Sequence, residues 1–129
     1  MRYWIRWFAL GPAVFAAFVL VGIAAGLISD ALGVWYEPVV GAACAAAFVF
    51  VSYVLAPEFK VAVATYALIA GAVLAWQLTS PPSFYPENYA AYAYVPSYLP
   101  IVVTYVAGLL SWCACVMHSR RRDLFARED

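Results

Sequence analysis

The chain has 129 residues, 67% of them hydrophobic and only 11% charged, with a mean hydropathy of +0.87. A soluble domain carries about 25% charged residues, and a very small one buries only about 60% of the surface its unfolded chain exposes, so this much apolar surface has to face lipid. The formal net charge is zero, with seven basic and seven acidic side chains, which excludes the basic footprint of a nucleic-acid binder.

A membrane-spanning helix needs about 20 mostly apolar residues, within a range of roughly 17–25. Residues 8–28 form the first such stretch, and no Asp, Glu, Lys, Arg or His interrupts it. Arg2 and Arg6 ahead of this run, and Ala31-Leu32-Gly33 behind it, also resemble a secretory signal with a small-x-small cleavage site. A secretory apolar core is about 7–15 residues long, however, and this one is longer. The first span is therefore kept as an anchor. Pro12, after Gly11, falls in its opening turns and predicts a mild kink. Gly22 and Gly26 make a GxxxG within it.

The second and third spans cover residues 39–56 and 61–78, again without interior charge. A charge at a helix centre costs about 2.5–3.5 kcal/mol on insertion scales, so its avoidance fits a lipid environment. Pro38 and Pro57 stand where helices should begin, since proline's missing N–H is no loss there, and Glu37 and Glu58 suit the positive end of a helix dipole. The connection at 56–60 is short enough to make the two spans an antiparallel hairpin. Ser52 and Tyr53 on one side and Thr65 and Tyr66 on the other lie at similar depth, which predicts hydrogen bonds across that hairpin. Gly41/Ala45 and Ala67/Gly71/Ala75 repeat the spacing of small residues that lets helix backbones approach in lipid. In so alanine-rich a chain these stripes are read as packing inside one bundle, rather than as a dimer face.

The long connection before the fourth span is the most distinctive segment. It holds Phe84, Tyr85, Tyr89, Tyr92, Tyr94 and Tyr98, punctuated by Pro81, Pro82, Pro86, Pro96 and Pro100. Tyr85, Tyr89 and Tyr92 are spaced i, i+4, i+7, so a short helix begun near Pro86 would align them on one stripe. Tyrosine joins an apolar body to a polar tip and concentrates where lipid meets water. The segment is expected to lie on the outer leaflet as an aromatic anchor. It is also the candidate surface for a partner subunit or an amphipathic ligand.

The fourth span covers residues 98–117, with Ala107, Ser111 and Cys115 as its small-residue stripe. Cys113, Cys115 and His118 form a C-x-C-x-x-H string, but residues 113 and 115 point about 200° apart on a helix and cannot share one ion. Metal sites need three or four ligands, so no metal or cofactor is assigned. The only other cysteine, Cys44, belongs to the opposite membrane face, and three thiols without a CxxC make no disulfide framework. Residues 118–129 are expected to form a tail in which Arg120, Arg121 and Arg122 touch anionic lipid, each contributing about 1 kcal/mol.

Orientation follows from the basic residues. Arg2, Arg6, Lys60, Arg120, Arg121, Arg122 and Arg127 all fall on one side of this arrangement, and the positive-inside rule makes that side cytoplasmic. Trp4, Trp7 and Trp112 map to the inner interface, and Trp35 and Trp76 to the outer one. The expected protein is a four-transmembrane-helix, up-down-up-down bundle in a bacterial inner (plasma) membrane, with both termini cytoplasmic.

Function is constrained mainly by what the spans lack. Proton-coupled multidrug exporters need a buried acid, epoxide-reductase-type thiol enzymes need CxxC, and haem-anchoring subunits need histidines within the spans. None of these is present. No catalytic residue is assigned. The leading expectation is a non-enzymatic accessory or scaffold subunit, partnered by a membrane subunit or by its own copies. The alternative is a small oligomeric transporter or flippase for an apolar or lipid-linked substrate.

Overall fold

A computed structural model describes residues 2–79, 83–84 and 96–125. Within them the chain is almost wholly helical: α1 (Arg2–Leu32), α2 (Tyr36–Leu55), α3 (Lys60–Thr79) and α4 (Leu99–Phe125). All four are long and apolar enough to cross a membrane. At 1.5 Å per residue α1 is about 46 Å long and α4 about 40 Å, against a hydrocarbon core of about 30 Å. Both are longer than an untilted crossing requires. Helix α4 continues through residues 118–125 of the expected tail, so His118, Ser119 and the three arginines ride on a helix.

The turns between helices have local causes. Gly33 takes φ +63, donates its N–H to the Asp30 carbonyl at 3.2 Å, and is followed by Val34 N–H bonding the Ser29 carbonyl at 3.0 Å. This is a Schellman closure, and it needs a residue that tolerates the left-handed region. Pro38 falls in the first turn of α2 beside Glu37. Pro57 stands in the turn ahead of α3, just after Ala56 N–H closes α2 on the Ser52 carbonyl at 3.1 Å. Phe59 then takes φ +49, and its carbonyl receives the Val63 N–H at 3.0 Å to open α3.

Side chains set the directions of packing. Phe18 lies edge-on to Phe48, the Phe18 carbonyl faces the Cys44 thiol at 3.7 Å, and Gly26 lies next to Val40, so α1 and α2 run oppositely. Gly41 abuts Thr104, Gly108 lies near Ala45, and Ser111 Oγ donates to the Ala46 carbonyl at 3.0 Å, so α2 and α4 run the same way. Tyr105 OH reaches the Ala72 carbonyl at 3.1 Å while Trp112 bonds Thr65, so α3 and α4 run oppositely. Helix α2 touches all three others, whereas α1 packs almost wholly on α2.

The interior is built from small side chains. Ala25, Ser29, Cys44, Ser52, Ala56, Ala64, Ala67, Thr104 and Cys115 are buried, joined by a few larger groups such as Val49 and Tyr53. Phe8, Phe15, Leu27, Tyr66, Leu78 and Leu110 are among the large apolar side chains that face outward. That is the reverse of a water-soluble core, and it suits a solvent of lipid tails, where close backbone approach rather than burial of bulk holds helices together. The glycines of the small-residue stripes are consumed in these internal contacts: Gly22 meets Cys44, Gly41 meets Thr104, and Gly71 meets Phe48.

Candidate functional site

Polar groups within the helices mostly bond their own backbone one turn earlier. Ser29 Oγ donates to the Ala25 carbonyl at 2.7 Å, Ser52 Oγ to Phe48 at 2.6 Å, and Thr104 Oγ1 to Pro100 at 2.6 Å. These bonds satisfy the hydroxyls without a partner helix. The hydrogen bonds expected between the Ser52/Tyr53 and Thr65/Tyr66 pairs are not made. Tyr66 faces outward at 74% exposed, and both Tyr53 and Thr65 turn to α4 instead.

The resulting cluster lies where α2 ends, α3 begins and α4 emerges. Tyr53 is 6% exposed, and its hydroxyl and His118 Nδ1 are hydrogen bonded at 3.1 Å, the donor being set by the imidazole tautomer. The two rings meet edge to face, 6.0 Å between centroids. Lys60 Nζ stands 5.9 Å from the Tyr53 ring centroid, within cation–π range. One turn deeper, Trp112 Nε1 donates to Thr65 Oγ1 at 2.9 Å, and that hydroxyl donates in turn to the Val61 carbonyl at 2.8 Å. Tyr53 also packs with Val49, Ala64 and Cys115 in the buried cluster beneath.

Above Tyr53 opens a cleft of about 530 Å³. Its floor and α3 side are Tyr53, Phe59, Lys60, Val61 and Ala62; its α4 side is Ser119, Arg122 and Asp123. Ser119, Arg122 and Asp123 share a face because positions three and four apart on a helix are neighbours. The cleft therefore gathers two cations, one carboxylate and two hydroxyls over an aromatic floor. Among the described residues, no ion pair joins Lys60 or Arg122 to Asp123. Phe59 presents its ring outward at 74% exposed from a left-handed backbone, a conformation costing a bulky L-residue about 1–3 kcal/mol.

The cluster offers cations, hydroxyls and a carboxylate side by side. His118 and Ser119 are successive residues and diverge by about 100° on the helix, so the imidazole cannot serve the Ser119 hydroxyl as a base. Among the described residues no three His, Cys, Asp or Glu side chains converge as a metal set.

The other sequence-derived positions are distributed as follows. Arg120, Arg121 and Arg122 are all exposed on the last turns of α4, and only Arg122 lines the cleft. At the opposite end, Ser83–Phe84 pairs antiparallel with Pro96–Ser97, Phe84 opposite Pro96, which draws together the two ends of the tyrosine-rich connection. Tyr98 is 61% exposed at the start of α4. Tyr85, Tyr89, Tyr92 and Tyr94, with the short helix expected through them, lie outside the described residues. Trp35, assigned to the outer aromatic belt, is 6% exposed and tucked into the α1–α2 turn. Depth along the spans was the available signal for the Tyr53–His118 contact, since both stand near the basic end; pairing Tyr53 only within its own hairpin missed it.

No family model, curated protein or solved structure matches this chain.

Proposed function

We propose that the chain is a non-enzymatic accessory or scaffold subunit of a membrane complex. It is read as an up-down-up-down bundle in a bacterial inner membrane with both ends cytoplasmic. The observation that carries this reading is the closed interior: small residues fill the contacts between helices, and the described Ser and Thr hydroxyls within the spans are satisfied inside the bundle. With no polar path formed among the described residues of the interior, the reading places function at the surface. Helix α1 leaves Phe8, Phe15, Leu20, Ile23 and Leu27 exposed while packing almost wholly on α2, a face suited to a further helix. The charge placement supports the orientation, because Arg6, Lys60, Arg120, Arg121 and Arg122 belong to the same end of the packed helices.

The test is a pull-down of the tagged full chain in mild detergent. A stoichiometric membrane partner, lost when Tyr85, Tyr89, Tyr92 and Tyr94 are changed together to Ser, is the expected result. A chain that purifies alone as a monomer, with a cellular phenotype indifferent to those changes, overturns the reading.

One observation favours the second reading, a small transporter or flippase. Ala46, Ala47, Phe50, Ala107, Leu110 and Ser111 line a shallow apolar groove of about 450 Å³ on the α2–α4 face, of a character that suits an acyl chain. Movement of a labelled lipid across liposomes containing the purified chain would support it, and unchanged movement would remove it.

A further inference from the structure

We infer that the cleft between the start of α3 and the end of α4 is a binding site for a zwitterionic phospholipid headgroup, one carrying a phosphate and a primary ammonium. The argument begins with charge. Lys60 and Arg122 supply two cations to one cleft, and Tyr53 and Ser119 bring hydroxyls to the same space. Lysine binds phosphate as a compact point charge and arginine as a planar fork, so the pair addresses a phosphate from two helices. A purely anionic headgroup would satisfy those cations and leave Asp123, on the same wall, facing a like charge. A headgroup that also carries an ammonium gives Asp123 its counterion. Neither cation is in an ion pair with Asp123 among the described residues.

Position supports the same ligand. The cleft lies where the apolar stretches end: α3 begins at Lys60, and the apolar part of α4 gives way to His118 through Asp123. That is headgroup level in a membrane, and exposed Tyr66 and Ile69 continue down α3 toward the tails. Phe59, turned outward by its left-handed backbone, stands at the lip where glycerol and upper acyl carbons would rest. Tyr53 is braced from behind by His118, so its hydroxyl is held in place before any ligand arrives. The inference depends on the chain lying in a membrane and not on the accessory role, because lipid retention is measured on the isolated protein.

The experiment is native mass spectrometry of the full chain in mild detergent, titrated with phosphatidylethanolamine, phosphatidylglycerol and phosphatidylcholine of identical acyl chains. The unaltered protein retains phosphatidylethanolamine preferentially. Phosphatidylcholine binds less well because its methylated ammonium cannot donate a hydrogen bond to Asp123. Asp123→Asn removes the ethanolamine preference, shifting its ratio to phosphatidylglycerol about fivefold, the effect of one charge near the surface. Lys60→Gln weakens both lipids by a similar factor. Arg120→Gln with Arg121→Gln, outside the cleft, leaves the ratio unchanged. Trp fluorescence melting of each variant confirms a folded bundle, and these end-of-helix positions are not packed inside it. Equal or tighter retention of phosphatidylglycerol by the unaltered protein overturns the proposal, as does an Asp123→Asn chain with an unaltered ratio.

Discussion

Substituting Gly41 by alanine tests whether steric fit between α2 and α4 holds this bundle together. Gly41 faces Thr104, and a methyl group there would overlap Thr104 Oγ1 and come within 3.6 Å of Thr104 Cβ. That hydroxyl is not free to swing aside, because it donates to the Pro100 carbonyl at 2.6 Å and the residue is 9% exposed. Rotating it away gives up a hydrogen bond of about 1 kcal/mol net, while separating the helices carries the overpacking cost of about 1–3 kcal/mol. Alanine's better helix propensity returns at most about 1 kcal/mol. The expected net is a loss of up to about 2 kcal/mol, and of about 1–3 kcal/mol relative to a site where propensity acts alone. Gly11→Ala is the control, since nothing lies within 4 Å of a Cβ there and propensity alone should act.

Unfolding in mixed micelles, followed by tryptophan fluorescence, measures both variants. Thr104→Ala completes a cycle: with the hydroxyl gone, Gly41→Ala should cost much less, giving a coupling energy of about 1 kcal/mol or more. If Gly41→Ala is as stable as Gly11→Ala, or if the two changes simply add, the contact does not limit stability and the packing argument fails.

Three further outcomes are expected. Tyr53→Phe removes the bond to His118 and should cost about 0.6 kcal/mol, the average for intramembrane hydrogen bonds, whereas Tyr53→Ala opens a cavity and should cost about 3 kcal/mol or more; equal losses in micelle unfolding would mean the ring does no packing. Phe59→Gly relieves the left-handed backbone at φ +49, so the variant should unfold no more readily than the parent, and a loss above about 1 kcal/mol would place real packing energy in that exposed ring. In a chain with its three native cysteines replaced by alanine, Arg121→Cys should react with a membrane-impermeant maleimide only in inverted vesicles and Val34→Cys only in intact cells; the opposite pattern would reverse the assigned orientation.

Helix number was legible because each apolar run is long and uninterrupted by charge, and Gly33 and Pro57 mark the turns on either side of α2. Ends were less legible. Hydropathy stops at Met117, but a helix does not, since His118 through Phe125 contain no glycine or proline to end it and three arginines that favour helix. The cleft was hidden for a related reason. Lys60, Arg122 and Asp123 are ordinary solvated charges in sequence, and only the extra turns of α4 carry two of them beside the first turn of α3. The burial of Trp35 in the α1–α2 turn was not legible either, because an aromatic near a membrane boundary looks alike in sequence whether its ring is exposed or covered.

The inside-out distribution of bulk has a consequence for where change is tolerated. Lipid accepts any large apolar side chain on the outer faces, so Leu27, Leu78 or Leu110 can exchange with Ile, Phe or Met at little cost. The interior has no such slack, because Gly22, Gly41 and Gly108 each stand within contact distance of a side chain on another helix. Constraint therefore sits in the small residues, while chemistry sits at the basic end, where Tyr53 belongs to both. Its ring is part of the packed cluster with Val49, Ala64 and Cys115, and its hydroxyl floors the cleft beside Lys60. A lipid held by Lys60 and Arg122 would bridge α3 and α4 just above that ring, so its binding should raise the stability of the packed bundle in proportion to its concentration. The two properties are one linked equilibrium: removing Asp123 should lower the stabilisation that added phosphatidylethanolamine confers, without lowering the stability of the lipid-free chain.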